Sequence, residues 1–184
     1  MANSSDLIPI VFILGLSGVG KSKLGEWVEK DLNFLHIEQD STQGNGIDIW
    51  GLRSDWDIYL SHKEPSGLAK TVRERARKEG RNGAILTFDS TVSLSPQEID
   101  TAQNAGILTV ILYGTDEDCL NAYLERERQS GRNYDKDRWI KYNAHSYAKF
   151  SRPEYAPYRV MVFENHDRKS REHLVELIRH KINT

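Results

Sequence analysis

Residues Gly15-Leu16-Ser17-Gly18-Val19-Gly20-Lys21-Ser22 carry the pattern G-x-x-x-x-G-K-[ST]. Each residue type in that spacing has a task. Glycines let the backbone curl so that successive N–H groups converge on one anion. A helix beginning at the end of the pattern adds the positive end of its dipole. Lys21 can reach the terminal phosphates of a nucleotide, and Ser22 can ligate the Mg2+ that travels with them. A Gly-rich turn can also match such a pattern by chance, so context decides. The apolar run Ile10-Val11-Phe12-Ile13-Leu14 stands directly before it, and helical spacing at Leu24, Trp27, Val28 and Leu32 follows. Strand, loop and helix in that order are what phosphate binding requires.

Phosphoryl transfer needs more than a phosphate loop: a metal site, a place for the acceptor, and positive charge near the moving group. Glu38 and Asp40 close a short apolar run with one residue between them. A strand sends alternate side chains to one face, so both carboxylates can point the same way. One can hold Mg2+ through water while the other receives an acceptor hydroxyl. Asp89 ends the run Ala84-Ile85-Leu86-Thr87-Phe88 and is a second candidate for ordering Mg2+ or contacting substrate. Ser90, Thr91 and Ser93 follow it, so a turn-forming role for Asp89 stands beside the functional one.

Positive charge is concentrated at Arg126-Glu127-Arg128-Gln129-Ser130-Gly131-Arg132. Guanidinium groups suit phosphate through paired donors. An Arg-bearing segment beside a Gly-containing break can close over a nucleotide and exclude water. Arg126 and Arg132 are the candidates, with a charged helix end as the plainer alternative. For the acceptor, the stretch from Gly44 to Trp56 mixes Asn45, Asp48, Trp50, Arg53, Asp55 and Trp56. Such a mixture lines small polar pockets, and Arg53 suits an anionic acceptor. The tryptophans serve equally well as packing under a long loop. The histidines show no metal-ligand spacing.

The elements that must hold these residues alternate through the chain. Strands are expected near residues 9–14, 34–40, 84–88, 107–113 and 160–163, and helices near 20–32, 67–79, 116–129, 135–150 and the C-terminal stretch carrying Leu174, Val175, Ile178 and Ile182. A short aromatic helix is expected around Trp56 and Tyr59. Ser95-Pro96-Gln97-Glu98 reads as an N-cap with a first-turn proline and acid, opening a helix closed by Gly106. Five β-type runs separated by helices imply an α/β fold with a parallel sheet and helices on both faces. Ligands in such folds gather beyond the carboxyl ends of the strands. Asp40, Asp89 and the loop after Tyr113 are therefore expected on the rim that carries the phosphate loop.

The chain has 184 residues, 38% hydrophobic and 28% charged, which suits one domain over residues 1–184. A net charge of −2 provides no basic footprint for nucleic acid or an anionic membrane. No apolar stretch approaches bilayer length, and the first residues do not read as a signal peptide. A single cysteine, Cys119, excludes an intrachain disulfide and fits a reducing cytoplasm. Its helical neighbours Leu120, Tyr123 and Leu124 assign it to packing.

Together these residues resemble the small P-loop kinases of the shikimate kinase, gluconate kinase and adenylate kinase group. The resemblance implies a three-layer P-loop NTPase fold with a five-stranded sheet in the order 2-3-1-4-5. It implies ATP and Mg2+ as cofactors, a substrate-binding insertion at about 41–80 and a lid at about 126–135. Glu38-Gln39-Asp40 matches the acidic pair after strand two, and Arg126 to Arg132 matches the lid. The expected function is transfer of the γ-phosphoryl of Mg-ATP to a small metabolite, with Lys21, Asp40, Arg126 and Arg132 as catalytic residues. Gly15 to Ser22 would bind the nucleotide, with Asp40, Arg53 and Asp89 on the acceptor. Ser22, Glu38 and Asp89 would serve the metal. The turn after strand three reads Asp89-Ser90-Thr91 rather than the glycine turn of shikimate kinases, which leaves the acceptor open. A nucleoside or nucleotide kinase and a non-catalytic nucleotide-binding module remain alternatives. A GTPase-like switch would need an Asn-Lys-x-Asp segment, and none occurs.

Overall fold

Five apolar runs pair side by side in parallel in a computed structural model that describes residues 7–39, 52–132 and 135–184. Within those ranges the side chains of Arg53 and Leu60 also lie outside the description. The expectations placed on Asp40, Asn45, Asp48 and Trp50 fall outside the described residues.

The strands are β1 (Ile10–Gly15), β2 (Phe34–Glu38), β3 (Gly83–Thr87), β4 (Ile107–Tyr113) and β5 (Arg159–Met161). Their order across the sheet is β2-β3-β1-β4-β5. Every β1 residue is buried, as a central strand covered on both faces must be. Its alternation divides the core. Ile10, Phe12 and Leu14 belong to one apolar cluster, and Val11 and Ile13 to the other.

Helices cover both faces. On the Phe12 side lie α2 (Arg53–His62), α3 (Ser66–Lys78) and α4 (Pro96–Asn104), contributing Trp56, Tyr59, Leu68, Val72 and Ile99. On the Val11 side lie α1 (Lys21–Leu32), α5 (Asp116–Gln129) and the C-terminal α7 (Arg171–Ile182), contributing Leu24, Val28, Cys119, Leu174 and Ile178. A further helix, α6 (Lys136–Phe150), reaches both clusters, with Trp139 in one and Phe150 in the other.

Helix boundaries follow local chemistry. Ser95 caps α4 with a complete capping box to Glu98 and Pro96 in the first turn. This arrangement satisfies otherwise orphaned N–H groups. Thr115, Asp135 and Ser170 cap α5, α6 and α7 through their side chains. Gly131, at φ 69°, follows the end of α5.

Trp56 is 2% exposed and packs edge-on against Phe88 with ring centroids 4.8 Å apart. Phe12 meets Phe88 at 5.0 Å and Tyr59 at 5.6 Å. Packing, the plainer of the two expectations for Trp56, describes its position.

The carboxyl end of the chain departs from the expected single strand at 160–163. The main sheet keeps Arg159–Met161, and Phe163–Glu164 pairs antiparallel with Asp167–Arg168 as a small hairpin of β6 and β7. Asn165 and His166 make its turn with φ of 51° and 68°, the left-handed geometry that two-residue hairpins prefer. The Val162 N–H still donates to Tyr113 O at 2.9 Å, so the run leaves the sheet only after that bond. No described helix is long and apolar enough to cross a membrane.

Phe12 is fully buried at the aromatic cluster on the central strand. Phe12→Ala is expected to cost about 3–5 kcal/mol of folding stability, read as a lower urea midpoint at unchanged m-value.

Candidate functional site

Parallel pairing places the strand ends on one rim. Ile13 lies beside Thr87, and Thr87 beside Glu38. The phosphate loop leaves β1 at this edge. A cleft of about 620 Å³ opens there, lined by Gly18, Gly20, Lys21, Ser22, Glu38, Asp89 and Arg126 among others. Its size suits a small molecule.

The loop curls by left-handed glycines, with Gly18 at φ 89° and Gly20 at φ 95°. A Cβ on Gly18 would collide with the α5 backbone at Cys119, and one on Gly20 with the Arg168 guanidinium. Gly18 therefore needs glycine for space as well as for conformation, whereas Gly20 needs it for conformation and to leave Arg168 where it lies. Gly20 precedes α1 without a capping side chain, which leaves the helix N-terminus open toward the cleft.

The loop carbonyls are held from several directions. Lys21 Nζ donates to Gly15 O at 2.8 Å and to Leu16 O at 2.9 Å. Trp139 Nε1 donates to Ser17 O at 3.0 Å. Arg168 donates to Gly18 O at 2.7 Å and to Val19 O at 2.8 Å. The Leu24 N–H donates to Gly20 O at 2.9 Å. Every carbonyl from Gly15 to Gly20 thus has a donor.

Ser17 is tied further. Its N–H donates to Asn143 Oδ1 at 2.7 Å, and its hydroxyl to Ser90 Oγ at 3.0 Å. Asn143 is fully buried and donates to Trp139 O. Ser146 Oγ donates to Ser90 O at 2.7 Å. One polar network thereby joins the phosphate loop to α6 and to the loop after β3.

The expected site residues divide. Lys21, Ser22, Glu38, Asp89 and Arg126 share the cleft with Leu16, Ser17, Gly18 and Gly20. Ser22 is exposed to it. Val19 points into the core instead, and Gly15 is the buried last residue of β1. Asp89 lines the cleft and also accepts from Thr91 N–H at 2.6 Å and from the Thr91 hydroxyl, the contacts of a turn. Asp55 and Trp56 lie on α2.

Arg126 and Arg132 converge on one carboxylate. Glu127 is 1% exposed and pairs with Arg126 at 2.6 Å and with Arg132 at 2.8 Å. Arg126 also lies over the Tyr123 ring at 5.3 Å. Arg126 reaches the cleft, whereas Arg132 is not among its lining residues. Arg128 turns to exposed Glu125.

Sequence reasoning missed Trp139, Asn143, Glu127 and the Arg168 hairpin. The rule that ligands gather beyond strand ends, applied to strand five, would have drawn attention to Asn165-His166-Asp167-Arg168. Nothing in the spacing of Trp139 and Asn143 pointed to the phosphate loop, since both read as one turn of an ordinary helix.

At the hairpin tip, His166 Nδ1 lies 2.8 Å from the Asp118 carboxylate near the start of α5. That bond, together with Thr115, holds the Asp118 carboxyl below its ordinary range. The same bond pushes the His166 imidazole above its usual 6.5.

Asp118, Ser22, Glu38 and Asp89 are all oxygen donors near the loop, but only the last three line the main cleft. A hydroxyl and two carboxylates are the hard donors that suit Mg2+.

The chain matches no protein-family model and no curated protein by sequence. Its fold is shared with solved small-molecule kinases. A gluconokinase from Sinorhizobium meliloti 1021 aligns with TM-score 0.53 at 14% identity, over 96% of this chain and 93% of that one. A shikimate kinase from Bacteroides thetaiotaomicron aligns with TM-score 0.54 at 16% identity, over 96% and 99%. The APS kinase of Mycobacterium tuberculosis, solved with AMPPNP and APS, aligns with TM-score 0.53 at 16% identity, over 96% and 98%. The strand order 2-3-1-4-5 with helices on both faces is the P-loop kinase fold.

Two outcomes test this arrangement. Asn143→Ala leaves the Ser17 N–H without its buried acceptor and is expected to cost about 1–3 kcal/mol, read by urea unfolding. His166 binds its proton more tightly folded than unfolded. Its contribution is therefore complete below its unfolded pKa and vanishes as pH rises through the folded value. Asp118 acts in the opposite sense, losing its contribution as pH falls through its lowered pKa. His166→Ala is expected to lower Tm at about pH 6 and to leave it unchanged at about pH 9; an equal deficit at both would exclude the charged pair.

Proposed function

We propose that this chain is an ATP-dependent phosphotransferase that moves the γ-phosphoryl of Mg-ATP to a hydroxyl or anionic group of a small metabolite. One observation carries the reading. Six residues of the phosphate-loop motif (Leu16, Ser17, Gly18, Gly20, Lys21 and Ser22), the acids Glu38 and Asp89, and Arg126 line the same cleft. The shared fold of gluconate, shikimate and APS kinases supports it.

In this reading the loop from Gly15 to Ser22 cradles the phosphates. Lys21 swings from Gly15 O and Leu16 O to the transferring group, with Arg126 beside it. Arg132 joins them when the segment at about 126–135 closes and excludes water. Ser22, Glu38 and Asp89 would hold Mg2+, which would supply charge neutralisation at the phosphates. Asp40 receives the acceptor hydroxyl. Arg53 and Asp89 contact the acceptor, within a substrate-binding insertion at about 41–80. We take residues 1–184 as one domain working in the cytoplasm on a nucleotide and a small molecule, without a nucleic acid or membrane partner.

The test is ATP consumption by the full chain against a panel of sugar acids, cyclic hydroxy acids, nucleosides and nucleoside monophosphates. One class is expected to support turnover, with Lys21→Ala slower by about 10²–10³-fold, the cost of removing one transition-state charge partner. Turnover on a nucleoside or its monophosphate would move the assignment to nucleotide metabolism. Turnover untouched by Lys21→Ala would sink the mechanism. Nucleotide binding without turnover on any class would point to a binding module.

A further inference from the structure

The phosphate loop receives two hydrogen bonds from a residue almost at the opposite end of the chain. Arg168 ends the small β6–β7 hairpin and grips Gly18 O and Val19 O with two guanidinium nitrogens. Its guanidinium carbon lies 4.9 Å from the Phe163 ring centroid, and Phe163 is its direct partner across the hairpin. The hairpin tip is fastened to α5 through His166 and Asp118 at 2.8 Å. Arg168 is therefore steered from two sides onto the loop.

The two carbonyls it grips belong to the peptide units whose nitrogens are those of Val19 and Gly20. A peptide unit is planar and trans, so its N–H points opposite its C=O. Drawing both carbonyls toward Arg168 turns both N–H groups away from it. Among the described residues the Val19 N–H makes only a long 3.4 Å contact, with Leu16 O. A charged donor on a carbonyl also polarises its amide, which strengthens that N–H as a donor.

We infer that Arg168 is a positioning residue for the phosphate loop, setting the direction and donor strength of the Val19 and Gly20 amides before any nucleotide arrives. It acts through the backbone and is not placed on the transferring phosphoryl. The absence of a side chain at Gly20 belongs to the same device, since a Cβ there would take the space of the guanidinium. The inference deepens the nucleotide-binding reading and rests on it.

The experiment has an arm that needs no ligand and an arm that does. In the free full-length chain, hydrogen exchange at the Val19 and Gly20 amides is compared among wild type, Arg168→Gln and Arg168→Lys. Calorimetric titration with Mg-ADP follows on the same proteins. Arg168→Gln is expected to exchange more slowly at those amides, whose N–H groups lose the polarisation that makes them acidic, and to bind Mg-ADP about tenfold more weakly, the scale of one or two charge-assisted hydrogen bonds. Arg168→Lys keeps the charge but not the fork, and is expected to fall between the other two. If Arg168→Gln does not fold, the Lys variant carries the comparison. Exchange and affinity equal to wild type in Arg168→Lys, or in a folded Arg168→Gln, would overturn the inference and leave nucleotide binding intact. A wild type that ignores Mg-ADP would overturn the nucleotide reading instead, and the exchange arm would still judge the brace.

Discussion

Backbone accounting at the phosphate loop governs the rest of the structure. A loop that offers its N–H groups to an anion must send its carbonyls elsewhere, and a buried carbonyl without a donor is costly. Six consecutive carbonyls, from Gly15 to Gly20, find donors on Lys21, Trp139, Arg168 and the Leu24 amide. These donors come from α1, α6 and the β6–β7 hairpin. Elements far apart in sequence are brought together because the loop needs them.

The same requirement explains two features that look unrelated. The chain leaves the sheet after Met161 and turns back through Asn165 and His166, which carries Arg168 to the loop. Helix α6 turns Trp139 and Asn143 inward, where they hold both backbone groups of Ser17. Ser17 in turn reaches Ser90, next to Asp89. Helix α6, which follows the arginine-rich segment, is thereby tied to the loop and to the turn after β3 by direct hydrogen bonds. Glu127 plays a comparable part for charge. A carboxylate with almost no exposure is tolerable only when paired, and it collects Arg126 and Arg132 around itself.

Much of the architecture was legible in the residue order. The β1 run is apolar throughout because it is covered on both faces, and the Ser95-Pro96-Gln97-Glu98 cap stands as read, since capping depends on neighbours within one turn. Glu38 and Asp89 reach the rim because parallel strands end together. Less legible was anything decided by long-range approach. The run at 160–163 is uniform in hydropathy, so nothing local marks where it leaves the sheet. Trp56 was equally compatible with a pocket and with a core; packing against Phe12 and Phe88 decided it. The arginines from Arg126 to Arg132 announced positive charge, while the buried acid between them, Glu127, was hidden by looking like another surface residue of a charged helix.

The amino-acid order by itself determined the phosphate-loop motif, the alternation of strands and helices, and through them the parallel sheet with the cleft at its strand ends. These follow from short-range rules: glycine's conformational freedom, the periodicity of apolar residues, and the handedness of parallel connections. Tertiary structure alone decided which side chains complete the loop. Arg168 lies 149 residues from Val19, and Trp139 lies 122 from Ser17, so no spacing in the chain encodes either contact. Their roles arise because the folded backbone brings the Ser17, Gly18 and Val19 carbonyls within reach of those donors.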